Sequence, residues 1–96
     1  MAKAISIQKK KNQKVTFSVL APAAKKVFLV GDFNNWEPQT HPMKKDSNGV
    51  WKKSVMLAPS QYEYKFLIDG DWKEDPQNDQ VCLNCFGTFN SVYSLF

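Results

Sequence analysis

Short stretches of alternating side chains, each ended by a turn signal, most constrain how this chain can fold. In residues 62–68 every second side chain is aromatic or aliphatic, as on one face of a β-strand. The segment Asp69-Gly70-Asp71 that follows predicts a tight hairpin. No long stretch has a convincing helical period. The chain is therefore predicted to be all-β.

Several other segments have the composition of strands. Strands are predicted at residues 15–19, 26–30, 50–57, 72–74 and 89–95. The segment 26–30 is apolar on both faces at its centre, which predicts an inner strand. About seven short strands separated by turn signals predict a β-sandwich. The Cys…Trp…Cys pattern of antibody domains is absent, so an antibody-type domain is disfavoured.

The length of 96 residues suits one domain and is too small for a two-domain enzyme. We expect a single β-sandwich domain at residues 13–96 and a flexible leader or first edge strand at residues 1–12. No apolar run reaches the ~20 residues that a membrane span needs, so no membrane partner is predicted. No apolar segment follows the first charges, so a secretory signal is not predicted and the expected compartment is the cytoplasm.

The positive charge is supplied by lysine alone. Thirteen lysines, no arginine and nine acidic residues give a net charge of +4. Arginine is the usual residue for bidentate phosphate and guanine contacts. A nucleic-acid partner is therefore not predicted. The cluster Lys9, Lys10, Lys11 and Lys14 is expected to be solvated. A polyanion contact through it remains an alternative, which predicts steep salt dependence.

Cys82 and Cys85 form the only C-x-x-C pair. One such pair does not complete a four-ligand zinc site, and the single histidine, His41, is remote in sequence. Two reduced thiols without a metal are expected. The four glycines are separated and form no phosphate-binding loop, so no cofactor is expected.

Catalysis is not predicted either. Most carboxylates lie in turns or beside lysines, where they should be solvated and ionised. Glycoside hydrolysis needs two carboxyl groups across the scissile bond, one with a raised pKa. A small sandwich also offers a surface in place of the cleft that substrate distortion needs.

Three aromatic residues lie where a core does not need them. Four others suit the core of the predicted sandwich, namely Phe17, Phe28, Tyr64 and Phe66. Trp36 lies in a polar, turn-rich segment, Trp72 follows the turn at residues 69–71, and Phe86 precedes a glycine. Any one of them could be a lid over the end of the sandwich. Two such tryptophans beside turn amides favour a binding surface.

A sugar ring fits that surface chemically. Its C–H face is apolar and can stack on a rigid indole, while its hydroxyls need donors and acceptors around the edge. Lys65 alternates with the predicted inward residues Tyr64 and Phe66 and so points to the outer face. This position is expected to lie near Trp72, across the hairpin.

The residues so far resemble a known family. Three segments are similar to those of carbohydrate-binding module family 48. They are Lys26-Val-Phe-Leu-Val-Gly-Asp-Phe-Asn-Asn-Trp36, Tyr62-Glu-Tyr-Lys-Phe-Leu-Ile-Asp-Gly70 with Trp72, and Phe86-Gly-Thr-Phe-Asn90. This family includes the glycogen-binding domain of the AMP-activated protein kinase β subunit. It also includes the N-terminal modules of isoamylases, pullulanases and branching enzymes. The resemblance covers about residues 14–96 and implies an immunoglobulin-like, early-set β-sandwich.

The resemblance also implies roles for individual residues. It implies that Trp36 and Trp72 stack on α-1,4-linked glucose units and that Lys65 hydrogen-bonds sugar hydroxyls. By the same resemblance Thr88 and Asn90 hold the ligand from the last loop and strand. Phe86 falls where the kinase domain has a leucine, so an apolar contact with a different shape is expected. The implied ligands are glycogen, starch and maltooligosaccharides.

Two functions of different classes follow. The first is a non-catalytic module that binds α-1,4-glucan. The second is an interaction or packing domain with a vestigial sugar site, which docks a glycogen-metabolising enzyme or a kinase partner through the same aromatic surface.

Overall fold

A computed structural model describes residues 12–96. These residues form eight strands and one short 3₁₀ turn. The strands are β1 (Gln13–Leu20), β2 (Val27–Gly31), β3 (Lys44–Lys45), β4 (Val50–Leu57), β5 (Ser60–Ile68), β6 (Asp71–Lys73), β7 (Val81–Leu83) and β8 (Phe89–Leu95). The 3₁₀ turn, Asp32–Asn34, follows β2 directly.

The strands form two antiparallel sheets. The first sheet has the order β1-β4-β3. The second has the order β2-β5-β8-β7, and the short strand β6 also pairs with β5. Along β5, strand β8 pairs with the first half and β6 with the last three residues. Residue 65 therefore lies at the junction where one neighbouring strand ends and the other begins.

The core lies between the facing sides of the sheets. Phe17 of β1 packs its ring edge against Tyr64 of β5, with ring centroids 4.8 Å apart. Trp51 of β4 and Leu29 of β2 belong to the same buried cluster. Period-two alternation explains this packing, since each strand directs every second side chain inward. The predicted all-β, immunoglobulin-like sandwich is confirmed.

The β5–β6 hairpin has the predicted turn. Asp69 and Gly70 both have positive φ, at 49° and 88°, as a two-residue type I′ turn requires. The Asp69 carboxylate accepts hydrogen bonds from the backbone N–H groups of Lys25 and Lys26. These bonds lower the pKa of Asp69, because they stabilise its ionised form.

Three details differ from the sequence predictions. The short strand β3 was not predicted, and the segment around Cys82 and Cys85, whose sequence is typical of a strand or a loop, contains the short strand β7. The count is therefore eight instead of about seven. Strand β2 is the last strand of its sheet and not an inner one, although the backbone of His41 and Met43 bonds to its outer edge. Phe28 is not part of the core, because it pairs with Leu67 on the outer face.

Other sequence predictions concern single groups. Cys82 and Cys85 are free and exposed thiols. Residues 1–11, with Lys9, Lys10 and Lys11, lie outside the described residues, so the predicted leader or edge strand is not described. Within residues 12–96 there is no helix long and apolar enough to cross a membrane.

Candidate functional site

Trp36 is held by the turn that follows β2. Its backbone N–H donates to the carbonyl of Gly31 at 2.9 Å. Its φ of 58° lies in the left-handed region, which is uncommon for a bulky residue and marks a backbone fixed by its surroundings. Gly31 itself lies close against β5, because a Cβ there would lie 2.5 Å from the carbonyl oxygen of Glu63.

Asp32 fixes the indole of Trp36. Its Oδ1 accepts a hydrogen bond from Trp36 Nε1 at 2.9 Å. Its Oδ2 accepts the backbone N–H of Glu63 in β5 at 2.8 Å. One carboxylate therefore ties the tryptophan to the second sheet and limits the rotation of its ring.

The side chain of Asn34 stabilises the same turn through hydrogen bonds to its two ends. This buried side chain accepts the backbone N–H of Gly31 through Oδ1, at 3.1 Å. Its Nδ2 donates to the carbonyl of Leu29 at 3.0 Å and to His41 Nδ1 at 2.8 Å. Burial lowers the pKa of His41, and the nearby charge of Lys53 lowers it further. A neutral imidazole with an unprotonated Nδ1 fits the donor that Asn34 presents.

Trp72 comes from the hairpin strand β6. It pairs with Leu67 of β5 and lies on the outer face of the second sheet. Its side chain is 48% exposed. The ring centroids of Trp36 and Trp72 are 6.4 Å apart, and the ring planes are inclined at 56°. We call these two residues the aromatic pair.

Lys65 lies on the same outer face, two residues before Leu67 along β5. Only 9% of it is exposed, which is uncommon for a lysine. Its Nζ donates to Thr88 Oγ1 at 3.1 Å. The neighbour across to β2 is Val30, which is fully buried although it also points outward. On the outer face, a buried apolar side chain therefore lies next to the hydrogen-bonded ammonium group of Lys65.

Asn84 connects the polar residues of the last loop. Its Nδ2 donates to Thr88 Oγ1 at 2.7 Å and to Asn90 Oδ1 at 3.0 Å. Its Oδ1 accepts the backbone N–H groups of Phe86 and Thr88. Asn90 in turn donates from Nδ2 to Glu63 Oε1 at 3.0 Å. The polar network comprises Glu63, Lys65, Asn84, Thr88 and Asn90.

Phe86 occupies the turn between β7 and β8. It is 86% exposed, and its backbone N–H is held by Asn84 Oδ1 at 2.9 Å. Burial within the chain does not explain this exposed phenyl ring, since a polar side chain would be equally compatible with the turn.

The structure brings the sequence-predicted residues to one face. Trp36, Lys65 and Trp72 are linked through β5 and its neighbours, and Thr88 and Asn90 join Lys65 through the polar network. Phe86 is on the adjoining turn. Sequence reasoning missed Asp32, Glu63 and Asn84. The alternation along β5 already placed Glu63 on the outer face with Lys65, but the bonds of Asp32 and Asn84 to distant backbone groups have no sequence signal.

The chemistry of this face is that of binding. It offers apolar rings, amides, a hydroxyl and one held ammonium group. In the described part of the chain no group of three or more His, Cys, Asp or Glu side chains could hold a metal ion.

Comparison with known proteins identifies the family. A family model described as carbohydrate-binding module 48 (isoamylase N-terminal domain) matches residues 5–83. The chain belongs to carbohydrate-binding module family 48. Its 96 residues are therefore a non-catalytic carbohydrate-binding module. The matched range includes Trp36, Lys65 and Trp72 and ends before Phe86, Thr88 and Asn90.

Relatives of this family 48 module include proteins of plants and bacteria. Over 62 residues, or 64% of the chain, it is 47% identical to protein PTST homolog 2, chloroplastic, of Arabidopsis thaliana. Over 69 residues, or 72% of the chain, it is 46% identical to a 1,4-alpha-glucan branching enzyme GlgB of Bradyrhizobium sp.. A branching enzyme GlgB 2 of Xanthomonas campestris is 44% identical over 54 residues, or 56% of the chain. The matched segments span 12%, 9% and 7% of these relatives.

Proposed function

We propose that this family 48 module binds α-1,4-linked glucan on the outer face of the second sheet. The observation that carries the proposal is the aromatic pair, whose centroids are 6.4 Å apart, on the same face as the polar network. The pair stacks on the C–H faces of two glucose units. Lys65, Thr88 and Asn90 bond their hydroxyls, and Phe86 makes an apolar contact beside them.

The angle between the rings favours an α-linked chain. Two indole planes inclined at 56° cannot both lie flat against a straight, ribbon-like sugar chain. An α-1,4-linked glucan curves, so successive glucose faces turn relative to one another and can follow inclined rings. Two of the relatives are named 1,4-alpha-glucan branching enzymes, which is consistent with this ligand.

The polar network supports the proposal through preorganisation. Its side chains are fixed by hydrogen bonds to each other before a ligand arrives, so little rotamer entropy is lost on binding. Lys65 is the one cation of the network, so we expect binding to respond only weakly to salt.

The test is a titration with maltoheptaose, followed by tryptophan fluorescence and by backbone amide shifts. Covering about 80 Å² of apolar surface is worth about 2 kcal/mol, or about thirtyfold in affinity. Trp36→Ala and Trp72→Ala should each lose about this much affinity for maltoheptaose, while their amide spectra remain those of a folded domain. Phe96→Ala, which removes another exposed aromatic, is the matched control and should bind normally.

A β-1,4-linked oligosaccharide, whose chain does not curve, tests whether the site prefers an α-1,4-linked glucan. Cellohexaose should bind much more weakly than maltoheptaose, since it cannot follow both rings. Normal maltoheptaose binding by either tryptophan variant contradicts the proposed contact. If the folded wild-type module shows no response to millimolar maltoheptaose, the sugar site is vestigial. The exposed Phe86 and Trp72 then favour the second candidate, docking of a protein partner on this face.

A further inference from the structure

A groove separate from the aromatic pair opens at the flank of the sandwich. It runs between β1 of the first sheet and the loop 75–80 of the second, and its volume is about 610 Å³. That volume is in the range of small-molecule sites. Its described lining residues are Thr16, Phe17, Ser18, Tyr64, Asp75, Gln77, Asn78, Gln80, Val92, Tyr93 and Ser94. None of these residues belongs to the aromatic pair or the polar network.

The loop wall of this groove is held in place by partly buried hydrogen bonds. Asp75 Oδ2 accepts the Tyr64 hydroxyl at 2.7 Å, and the Asp75 backbone N–H donates to Ser91 Oγ at 2.8 Å. Asn78 Nδ2 donates to the Tyr64 hydroxyl oxygen and to the carbonyl of Val92. Burial raises the pKa of Tyr64 far above its ordinary value, so its hydroxyl stays protonated and keeps donating. The wall is therefore built before any ligand arrives.

Four other side chains on the groove remain available for a ligand. Ser18, Gln77, Gln80 and Tyr93 make no side-chain hydrogen bond to another residue of the range 12–96. Together they offer hydroxyl and carboxamide groups, which both donate and accept. The Tyr93 ring is partly exposed and is fixed edge-on against Phe17, with centroids 5.6 Å apart. It supplies a rigid apolar edge beside the polar groups.

The charge of the groove selects a neutral ligand. Its described lining includes no lysine, although the chain has thirteen. Its one carboxylate, Asp75, is already occupied by the Tyr64 hydroxyl and by the backbone N–H of Gln77. An anion would find no cation there, and a cation would find a carboxylate whose oxygens are in use. Paired donors and acceptors next to an aromatic ring suit a polyhydroxylated, uncharged molecule.

We propose that this groove is a second carbohydrate site, which holds a glucose unit of an α-glucan through Gln77, Gln80, Ser18 and Tyr93. The identity of the sugar rests on the proposed function, whereas the site itself rests on separate residues. On a polysaccharide the two sites can contact two segments at once. The second contact then occurs at a high effective concentration and raises the overall affinity.

The experiment uses a variant in which the aromatic pair is removed, Trp36→Ala with Trp72→Ala. Its amide spectrum is titrated with maltoheptaose at millimolar concentration. Saturable shifts at Ser18, Gln77 and Gln80 are expected. Adding Gln77→Ala and Gln80→Ala should abolish them, whereas adding Gln39→Ala, an exposed glutamine outside the groove, should leave them unchanged.

A second measurement uses the intact aromatic pair. Gln77→Ala with Gln80→Ala should reduce retention on insoluble starch severalfold, while maltoheptaose affinity at the aromatic pair stays the same. Silence of the groove residues in every variant, with normal binding by the wild-type aromatic pair, overturns the second site and leaves the proposed function intact. If the aromatic pair of the wild type does not respond while the groove residues shift saturably, the proposed function of the aromatic pair is overturned and the second site stands.

Discussion

Asp32 and Trp36 are joined by a 2.9 Å hydrogen bond from the indole Nε1 to the carboxylate Oδ1. The other oxygen of the same carboxylate accepts the backbone N–H of Glu63. The orientation of a loop tryptophan is therefore set by a strand of the second sheet. Because Trp36 also has a left-handed backbone, both its main chain and its ring are constrained before any ligand binds.

Removal of this carboxylate should weaken glucan binding without unfolding the module. Asp32→Ala loses the bonds to Trp36 Nε1 and to the Glu63 N–H. The indole then gains rotational freedom that binding must remove, and we expect a loss of about fivefold to tenfold in maltoheptaose affinity. Fluorescence titration measures it. Asp32→Asn keeps one acceptor oxygen and should recover part of the loss; equal affinity in all three proteins contradicts the role of Asp32.

Asn84 should matter for glucan binding, although it is not among the residues proposed to contact the sugar. Asn84→Ala releases Thr88 and Asn90 and leaves the N–H groups of Phe86 and Thr88 without their acceptor. Maltoheptaose affinity should fall about tenfold, and hydrogen exchange of the amides at 86 and 88 should accelerate. Asn84→Asp is the matched variant. It keeps the acceptor oxygen but replaces the donor, so it should restore the slow exchange and not the affinity.

The sequence predicts the local features of this fold well and the non-local ones poorly. Strand β5 and its turn at Asp69 are each signalled by adjacent residues, through alternation and through turn chemistry. The local sequence of β7, which is exposed throughout, fits a strand or a loop, and only its pairing with β8 makes it a strand. Phe28 was predicted in the core because its residue type is apolar, yet its register with Leu67 places it on the outer face.

In the candidate site, too, local features could be predicted from the sequence and non-local ones could not. Residue types on predicted surfaces suggested Trp36, Trp72 and Lys65. The supporting bonds of Asp32 and Asn84 join segments distant in sequence or reach backbone groups around a turn, so they require coordinates. Lys65 is also almost completely buried, and its neighbours Val30 and Thr88 come from other parts of the chain. The structure puts five of the six predicted residues on one face and Phe86 on the adjoining turn. Their roles in sugar binding stay predictions.

Gly31 should be far less tolerant of substitution than Gly70. In Gly31→Ala the new Cβ would meet the Glu63 carbonyl oxygen at 2.5 Å and Tyr64 Cβ at 2.8 Å. Neither backbone nor a packed Cβ can move freely, so we expect a loss of about 3 kcal/mol or more in the free energy of unfolding. Gly70 has a φ of +88° but open space around it, so Gly70→Ala should cost only about 1 kcal/mol. Urea unfolding compares them, and equal costs contradict the close approach.

The protonation of His41 should couple pH to the turn that carries Trp36. Its Nδ1 accepts from Asn34 Nδ2 at 2.8 Å, so a proton on Nδ1 would place two donors against each other. The ring also faces the edge of Phe33 and the charge of Lys53. None of these three neighbours carries a carboxylate that would stabilise an imidazolium. Burial is the main cause of the lowered pKa of His41, and the charge of Lys53 adds to it.

The sign of the pH effect follows from that direction. The folded pKa of His41 lies below the unfolded value of about 6.5, so the unfolded chain binds the proton more readily. The stabilisation is fully present above about pH 6.5 and is lost as the pH falls through the lower, folded pKa. Over this window the free energy of unfolding and the maltoheptaose affinity of the wild type should both decrease, since protonation loosens the Asn34 anchor beneath Trp36. His41→Gln removes the titrating group, so its stability and affinity should change less over the same window. Parallel pH profiles for the two proteins would show that His41 does not couple pH to this site.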